Sequence, residues 1–380
     1  MGCASSADSA KAPETQRRRL SVGHVEGSAD AATADATEED RGLISSLNEQ
    51  TIIELVEAAG DNMGRKMSIG SETDQSKTSF ANKSMQQMGD AIDPVSCGLG
   101  YTCRKGLKPE SPNQDSWFVL KMEAVSIYAV FDGHGQKGHD VSNFVKENLP
   151  KLIIKDSRFR SGDTAAMLNE VFKRTQSLIG AADRMKKLSA QMSGTTATVC
   201  LHDHVNNKIT LAHVADSTAV LGRSKNGANE GIALTRDHKP NLKDERARIE
   251  KAGGRVVFDG YANHRVYAKH ARYPGLNMSR CLGDLMGHAD CGVSCEPEVS
   301  ERELTQNDSH LLLCSDGVWE FITPNEAVAV VAEFPAAKAM QAAERLAKDA
   351  WDRWIKEEGG AVVDDITVVI VYLETARQLT

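Results

Sequence analysis

Two segments of this chain end an apolar run on the same pair of residues. Ala129-Val-Phe-Asp-Gly-His-Gly135 closes the run Val125–Phe131, and His310-Leu-Leu-Leu-Cys-Ser-Asp-Gly317 closes a second. A β-branched and aromatic run that stops at Asp-Gly reads as a buried strand delivering a carboxylate to a turn, which places Asp132 and Asp316. Gly133 lets backbone approach whatever Asp132 holds, and His134 adds a group that exchanges protons near neutral pH. A third carboxylate pair, Asp364-Asp365, stands directly before the apolar run Ile366–Tyr372. Three strand ends carrying Asp predict one carboxylate cluster. Hard oxygen ligands without His or Cys partners suit Mg²⁺ or Mn²⁺ better than zinc.

The elements that must position these groups are legible in outline. The polar loop Lys105–Asp115 leads into a strand at Trp117–Leu120, so Asp115 sits at a strand start. After the Asp-Gly-His turn, Val141, Phe144, Val145 and Asn148 share one helical face, and Pro150 is expected to end that helix. Leu168, Val171, Phe172, Thr175, Leu178, Ile179 and Ala182 repeat at three and four, as in a second helix. The period then changes: Thr196–Leu201, Ile209–Val214 and Thr218–Gly222 read as an antiparallel meander, with Asp216 in its second turn. Residues 241–252 form a charged helix, 256–274 an exposed flap, and 327–332 and 336–355 two further helices.

The chain has 380 residues, 41% of them hydrophobic, enough for a substantial core. Its net charge of −8 argues against a general nucleic-acid binder, which needs a basic face. No apolar segment approaches the ~20 residues that span a bilayer. The eight cysteines form no paired C-x-x-C knuckles and read as reduced thiols. None is followed by Arg six positions on, which excludes a thiolate phosphatase loop of the Cys-x5-Arg kind.

Residues 1–92 are rich in Ser, Ala, Thr and Asp and read as a largely disordered tail, with 93–375 as the folded domain and 376–380 as a short C-terminal tail. One stretch of the N-terminal segment, Leu43–Val56, has apolar residues on one side of a short helix that either docks or is transient. The first residues, Met1-Gly-Cys-Ala-Ser-Ser6, fit myristoylation of Gly2, with Cys3 a neighbouring palmitoylation site and Arg17–Arg19 a basic patch. Two such signals make anchoring stable where one does not. The expectation is attachment to the cytoplasmic face of a membrane, the plasma membrane or another inner cellular membrane. Ser21 and Ser68 follow basic residues as in sites for basophilic kinases.

Seven ordered motifs carry a family resemblance: Phe131-Asp-Gly-His-Gly135, Ser193-Gly-Thr-Thr-Ala197, Ala215-Asp-Ser217, Thr235-Arg-Asp-His-Lys-Pro240, Ser279-Arg-Cys-Leu-Gly-Asp284, Ser315-Asp-Gly-Val-Trp319 and Asp364-Asp-Ile-Thr367. Together they resemble the type 2C (PPM) metal-dependent protein serine/threonine phosphatases. The resemblance implies an α+β fold, a four-layer α/β/β/α sandwich of two antiparallel sheets flanked by helices, with two divalent ions at one end. It makes Asp132 a bridging ligand, Gly133 a backbone-carbonyl ligand, and Asp316 and Asp365 the other principal carboxylates. Asp115 matches the acidic position of the first motif, and Asp216 and Glu320 fall where some members bind a weaker third metal. His134 matches the proposed general acid.

Departures from the family pattern are Gln114, where many relatives carry Glu, and Thr218, where Arg is common. For the basic residue that grips substrate phosphate, Lys108 is the candidate and Arg104 its rival. Two Mg²⁺ or Mn²⁺ ions would activate a water for in-line attack on phosphorus, with His134 protonating the departing Ser or Thr oxygen. The expected partners are phosphoprotein substrates and, through the acylated N-terminus, a membrane; a monomer is expected. Taken singly, each Asp-Gly is a turn and His134 a surface histidine. The rivals to the phosphatase reading are a catalytically silent phosphoprotein-binding module and a hydrolase of small phosphate esters.

Overall fold

The computed structural model describes residues 37–373, apart from 60–63, 74, 109–110 and 226. The lipidation residues Gly2 and Cys3, the Arg17–Arg19 patch, Ser21 and the C-terminal tail lie outside the described residues. No described helix is long and apolar enough to cross a membrane.

Alternation along two strands generates the layers. In Val125–Phe131, the side chains of Ile127, Ala129 and Phe131 join a core shared with helices, whereas Tyr128 and Val130 join a second core between the sheets. In Ile366–Tyr372, Val369 and Val371 enter that same inter-sheet core, while Ile366, Val368, Ile370 and Tyr372 face another helical layer. A strand buried on both faces must be covered on both, and the period of two sorts its residues between the covers.

The first sheet has seven antiparallel strands in the order Glu298–Glu303, Lys208–Val214, Ala197–Asp203, Val125–Phe131, Ser116–Lys121, Met67–Ser71, Met85–Gly89. The second has five, in the order Ala228–Ala233, Thr218–Lys225, Asp308–Cys314, Ile366–Tyr372, Leu99–Arg104. Helices Gly138–Lys155 and Thr164–Arg184 cover the first sheet, and Pro324–Ala332 and Ala339–Glu357 the second. The fold is thus the expected α+β four-layer sandwich.

Several local expectations change. The segment before residue 93 contributes helices Glu38–Asn48 and Ile52–Ala58 and strands Met67–Ser71 and Met85–Gly89, so the folded unit begins well ahead of the compositional boundary. Each of the two helices opens with a capping box, Thr37 with Asp40 and Thr51 with Glu54. Ile44, Leu47, Ile52, Leu55 and Val56 are buried in the helical core, so the amphipathic stretch docks, as two helices instead of one. Ser68 is only 4% exposed inside its strand, which removes it as an accessible kinase site.

Pro150 lies inside the helix Gly138–Lys155. Its ring removes one amide donor, but Leu149, Leu152, Ile153 and Ile154 are buried around it, and their packing carries the helix onward. The three-strand meander is not formed: Thr218–Lys225 leaves the first sheet and pairs with Asp308–Cys314 in the second. The chain therefore crosses between sheets at Ala215–Ser217, next to the strand ends that carry the acids. Residues 254–276 form a three-stranded sheet of Gly254–Phe258, His264–Ala268 and Pro274–Leu276, packed on Ile249, Cys291 and Val293. All seven described cysteines are free thiols.

Candidate metal centre

Asp132 follows the central strand Val125–Phe131, and its backbone is held on both sides. Its amide donates to Thr196 Oγ1 at 2.9 Å, and its carbonyl accepts from Thr195 Oγ1 at 3.1 Å and the Thr196 amide at 2.9 Å. A Cβ at Gly133 would lie 2.4 and 2.5 Å from the Gly138 and Gln114 carbonyl oxygens, so only glycine fits the turn. Asp316 opens the short helix Asp316–Trp319 at the end of Asp308–Cys314. Asp115 precedes Ser116–Lys121 and accepts from Ser315 Oγ at 2.8 Å and Thr367 Oγ1 at 2.7 Å through one oxygen.

These acids converge. Burial pushes the Asp132 carboxyl well up, and the carboxylates of Asp115, Asp316, Asp364 and Asp216 push it the same way. Burial likewise raises Asp316, with Asp364 and Asp216 adding to it, and lifts Asp115 to about 7. Asp115 Oδ1 and Asp316 Oδ1 are buried without hydrogen-bond partners. Crowded carboxylates with orphaned buried oxygens are costly unless a cation completes them, and an all-oxygen donor set fits a hard divalent ion. The residues present therefore fit Mg²⁺ or Mn²⁺.

The structure separates the two adjacent acids of Asp364-Asp365. Asp365 accepts from the Gly106 amide through Oδ1 and the Gln114 amide through Oδ2, both at 2.7 Å, so it clamps the loop 106–114. Asp364 is the member whose charge bears on both Asp132 and Asp316. The expectation named Asp365 as a principal ligand; its two oxygens each accept a backbone amide, and the charge of Asp364 on Asp132 and Asp316 favours Asp364 for that place. Lys108 Nζ donates to Asp364 Oδ1 at 2.7 Å, and Asp132 is among the acids that keep it charged. Arg104 pairs with Glu344 and sits over the Phe80 ring, away from the cluster. Of the two candidates, Lys108 is the one whose side chain meets the acids.

Asp216 is ion-paired to Lys239. The Glu320 amide donates to the Asp316 carbonyl at 2.9 Å, and Glu320 lines an adjoining open cleft of about 680 Å³ with Thr218 and Asp237. Thr218 Oγ1 donates to Asp237 Oδ1 at 3.1 Å. Gln114 Nε2 donates to the Gly135 carbonyl at 2.7 Å, so its amide braces the Asp-Gly-His turn.

Sequence reasoning missed Asp284, which lies 2.5 Å from His134 Nε2 through Oδ2. Burial opposes the charged imidazole, but the Asp284 carboxylate outweighs it and raises the His134 pKa. Asp284 adopts φ 41°, and Ala215, just before Asp216, φ 74°: left-handed conformations that cost energy in non-glycine residues and gather at functional sites. A Cβ on Gly194 would lie 2.2 Å from Asp284 Oδ2 and 2.8 Å from His134 Nε2. The available signals were the Gly283-Asp284 step and the Ser-Gly-Thr-Thr motif.

The family model described as protein phosphatase 2C matches residues 108–358, well over half the chain. The chain belongs to the protein phosphatase 2C family. It is 35% identical over 291 residues to probable protein phosphatase 2C 48 of Oryza sativa subsp. japonica, covering 69% of this chain and 80% of that one. Probable protein phosphatase 2C 61 of Arabidopsis thaliana is 34% identical over 264 residues, covering 66% and 76%. The crystal structure of a Toxoplasma gondii serine-threonine phosphatase 2C superposes with a TM-score of 0.64 at 17% identity, covering 72% and 94%, a likeness of fold. As a 2C phosphatase the chain is a metal-dependent protein serine/threonine phosphatase.

Proposed function

We propose that this phosphatase hydrolyses phosphoserine and phosphothreonine esters in proteins at a two-ion centre held by Asp132, the Gly133 carbonyl, Asp316 and Asp364. The observation that carries this reading is the buried carboxylate cluster with its unpartnered oxygens on Asp115 and Asp316. A bound pair of Mg²⁺ or Mn²⁺ ions supplies the activated water and neutralises charge on the phosphoryl oxygens. Lys108, beside Asp364 and Asp132, meets a phosphate oxygen at the rim. His134, oriented by Asp284, gives the leaving Ser or Thr oxygen its proton. Asp115 orients the Ser315 and Thr367 hydroxyls behind the centre. Asp216 and Glu320 are candidates for a weaker third ion, where Lys239 competes for Asp216.

Anchoring through a myristoyl group on Gly2, with Cys3 palmitoylation or the Arg17–Arg19 patch as the second signal, would confine this activity to the cytoplasmic face of a membrane. The test of the chemistry is hydrolysis of a phosphothreonine peptide with Mg²⁺ or Mn²⁺ added or chelated, beside Asp132→Ala and a Mn²⁺-binding measurement. Metal-dependent turnover lost in Asp132→Ala is expected. A folded protein that turns over with neither ion would instead be a silent phosphoprotein-binding module. Replacing Gly2 by Ala should release the full-length protein from membranes.

A further inference from the structure

Three side chains beside the catalytic turn form a set the phosphatase reaction does not account for. His134 Nε2, Cys281 Sγ and one oxygen of Asp284 lie within 4.8 Å of one another. The Cys281 thiol is 3.2 Å from Asp284 Oδ2, the same atom that meets His134 Nε2 at 2.5 Å. Imidazole, thiolate and carboxylate make a mixed donor set, softer than the all-oxygen cluster nearby, and such a set favours Zn²⁺ or Cd²⁺ over Mg²⁺. Neighbouring charge is mainly negative, since Asp284 and Asp216 both act on His134 and on Cys281, against Lys108 acting on His134.

A second histidine cluster offers a contrast. His213, His238 and Glu298 also lie within 4.8 Å of one another, but Arg236 already donates to Glu298 and bears, with Arg280, on the buried His238. A cation there would have to displace a guanidinium in a positive field. Among the described residues no guanidinium donates to Asp284, the one nearby cation acting on the set being Lys108, and His134, 8% exposed, gives it contact with the catalytic cleft.

We propose that His134, Cys281 and Asp284 form an inhibitory site for a soft divalent cation, Zn²⁺ or Cd²⁺, distinct from the carboxylate centre. On binding, Cys281 releases its thiol proton and the proton held between His134 Nε2 and Asp284 Oδ2 also leaves to solvent, so that imidazole, thiolate and carboxylate face the cation and water takes the fourth position. His134 is then held as a ligand and no longer serves the leaving oxygen. Inhibition rests on the proposed role of His134; binding does not.

The experiment uses the full chain with Mg²⁺ in excess, so that the carboxylate centre is filled. Cd²⁺ is titrated while the thiolate-to-cadmium charge-transfer absorption is followed, and the Zn²⁺ concentration for half-inhibition is measured in parallel. Cys281→Ala should lose one thiolate's share of the absorption and raise the Zn²⁺ midpoint by about tenfold or more, as loss of a ligand should. Cys281→Ser, which keeps a hydroxyl for Asp284, should shift the midpoint likewise and guards against a packing defect in the alanine variant. Asp132→Ala, expected to lack turnover, should keep the absorption, so failure of the site and failure of the phosphatase reading are told apart. An undiminished absorption in Cys281→Ala, or an unshifted midpoint in both variants, overturns the proposal.

Discussion

Two buried carboxylate sites in this molecule face opposite electrostatic fates. Glu245 is completely buried, yet Arg280 and Arg248 hold its two oxygens at 2.6 and 2.8 Å and Ser279 Oγ adds a hydrogen bond at 2.5 Å. Burial opposes its ionisation, but those donors prevail and keep its pKa well below the usual range. At the strand ends, Asp132, Asp316 and Asp115 are buried among other acids, and their pKa values rise. A buried acid that brings its own cations is structural; one left among its own kind is waiting for a cation from outside.

The contrast can be broken most sharply by deletion. Asp132→Ala should cut peptide turnover by about a thousandfold or more through loss of the ion site, while the metal-free variant unfolds no more easily than wild type because like-charge repulsion is relieved. Reduced stability of that metal-free variant would contradict the view of the cluster as strained. Glu245→Ala should do the reverse, destabilising the fold by about 3–5 kcal/mol because Arg248 and Arg280 lose their buried partner; denaturant unfolding measures it.

The pH dependence of metal-free stability sharpens the same contrast. Asp115 moves from 3.8 to about 7, so the folded state binds the extra proton between those values. Its contribution is fully present below pH about 3.8 and is lost as pH rises to about 7, on the order of 4 kcal/mol. The Glu245 contribution is present above its unfolded pKa near 4.5 and is lost as pH falls below it. Unfolding followed against pH should show the Asp115 loss in wild type and not in Asp115→Asn. The smallest effect is that of ligand: Mg²⁺ or Mn²⁺ at about 100 times its dissociation constant should add about 2.7 kcal/mol. In a thermal scan, Asp132→Ala should lose this gain and Glu245→Gln should keep it.

Much of the centre was legible because its residues terminate apolar strands, and burial with a strand end leaves few places for an Asp to point. The strand-end places of Asp132 and Asp316 follow from that alone, whereas the Gly133 carbonyl enters only through the family resemblance. Asp364 and Asp365 were not separable, since adjacent carboxylates before one strand look alike until the amides of Gly106 and Gln114 take one of them. Asp284 was hidden because its partner His134 lies 150 positions away, and nothing local in a Gly-Asp step announces an imidazole. Met67–Ser71 and Met85–Gly89 escaped notice because the second is mostly exposed and polar, which resembles a linker more than a strand. The meander failed for a different reason: Thr218–Lys225 has the right composition for either sheet, and the choice is made by pairing with Asp308–Cys314.

That easily overlooked pair of strands has a practical consequence. Met67–Ser71 pairs with Ser116–Lys121 from Met67↔Lys121 to Gly70↔Phe118, and Met85–Gly89 closes the row beyond it. A fragment begun at residue 93, where the composition turns domain-like, would leave Ser116–Lys121 as a bare border, a Trp-Phe-Val-Leu ribbon with open amides and carbonyls. Such a border templates intermolecular pairing. The trimmed enzyme should accumulate in inclusion bodies, whereas one begun at Thr37 should stay dispersed.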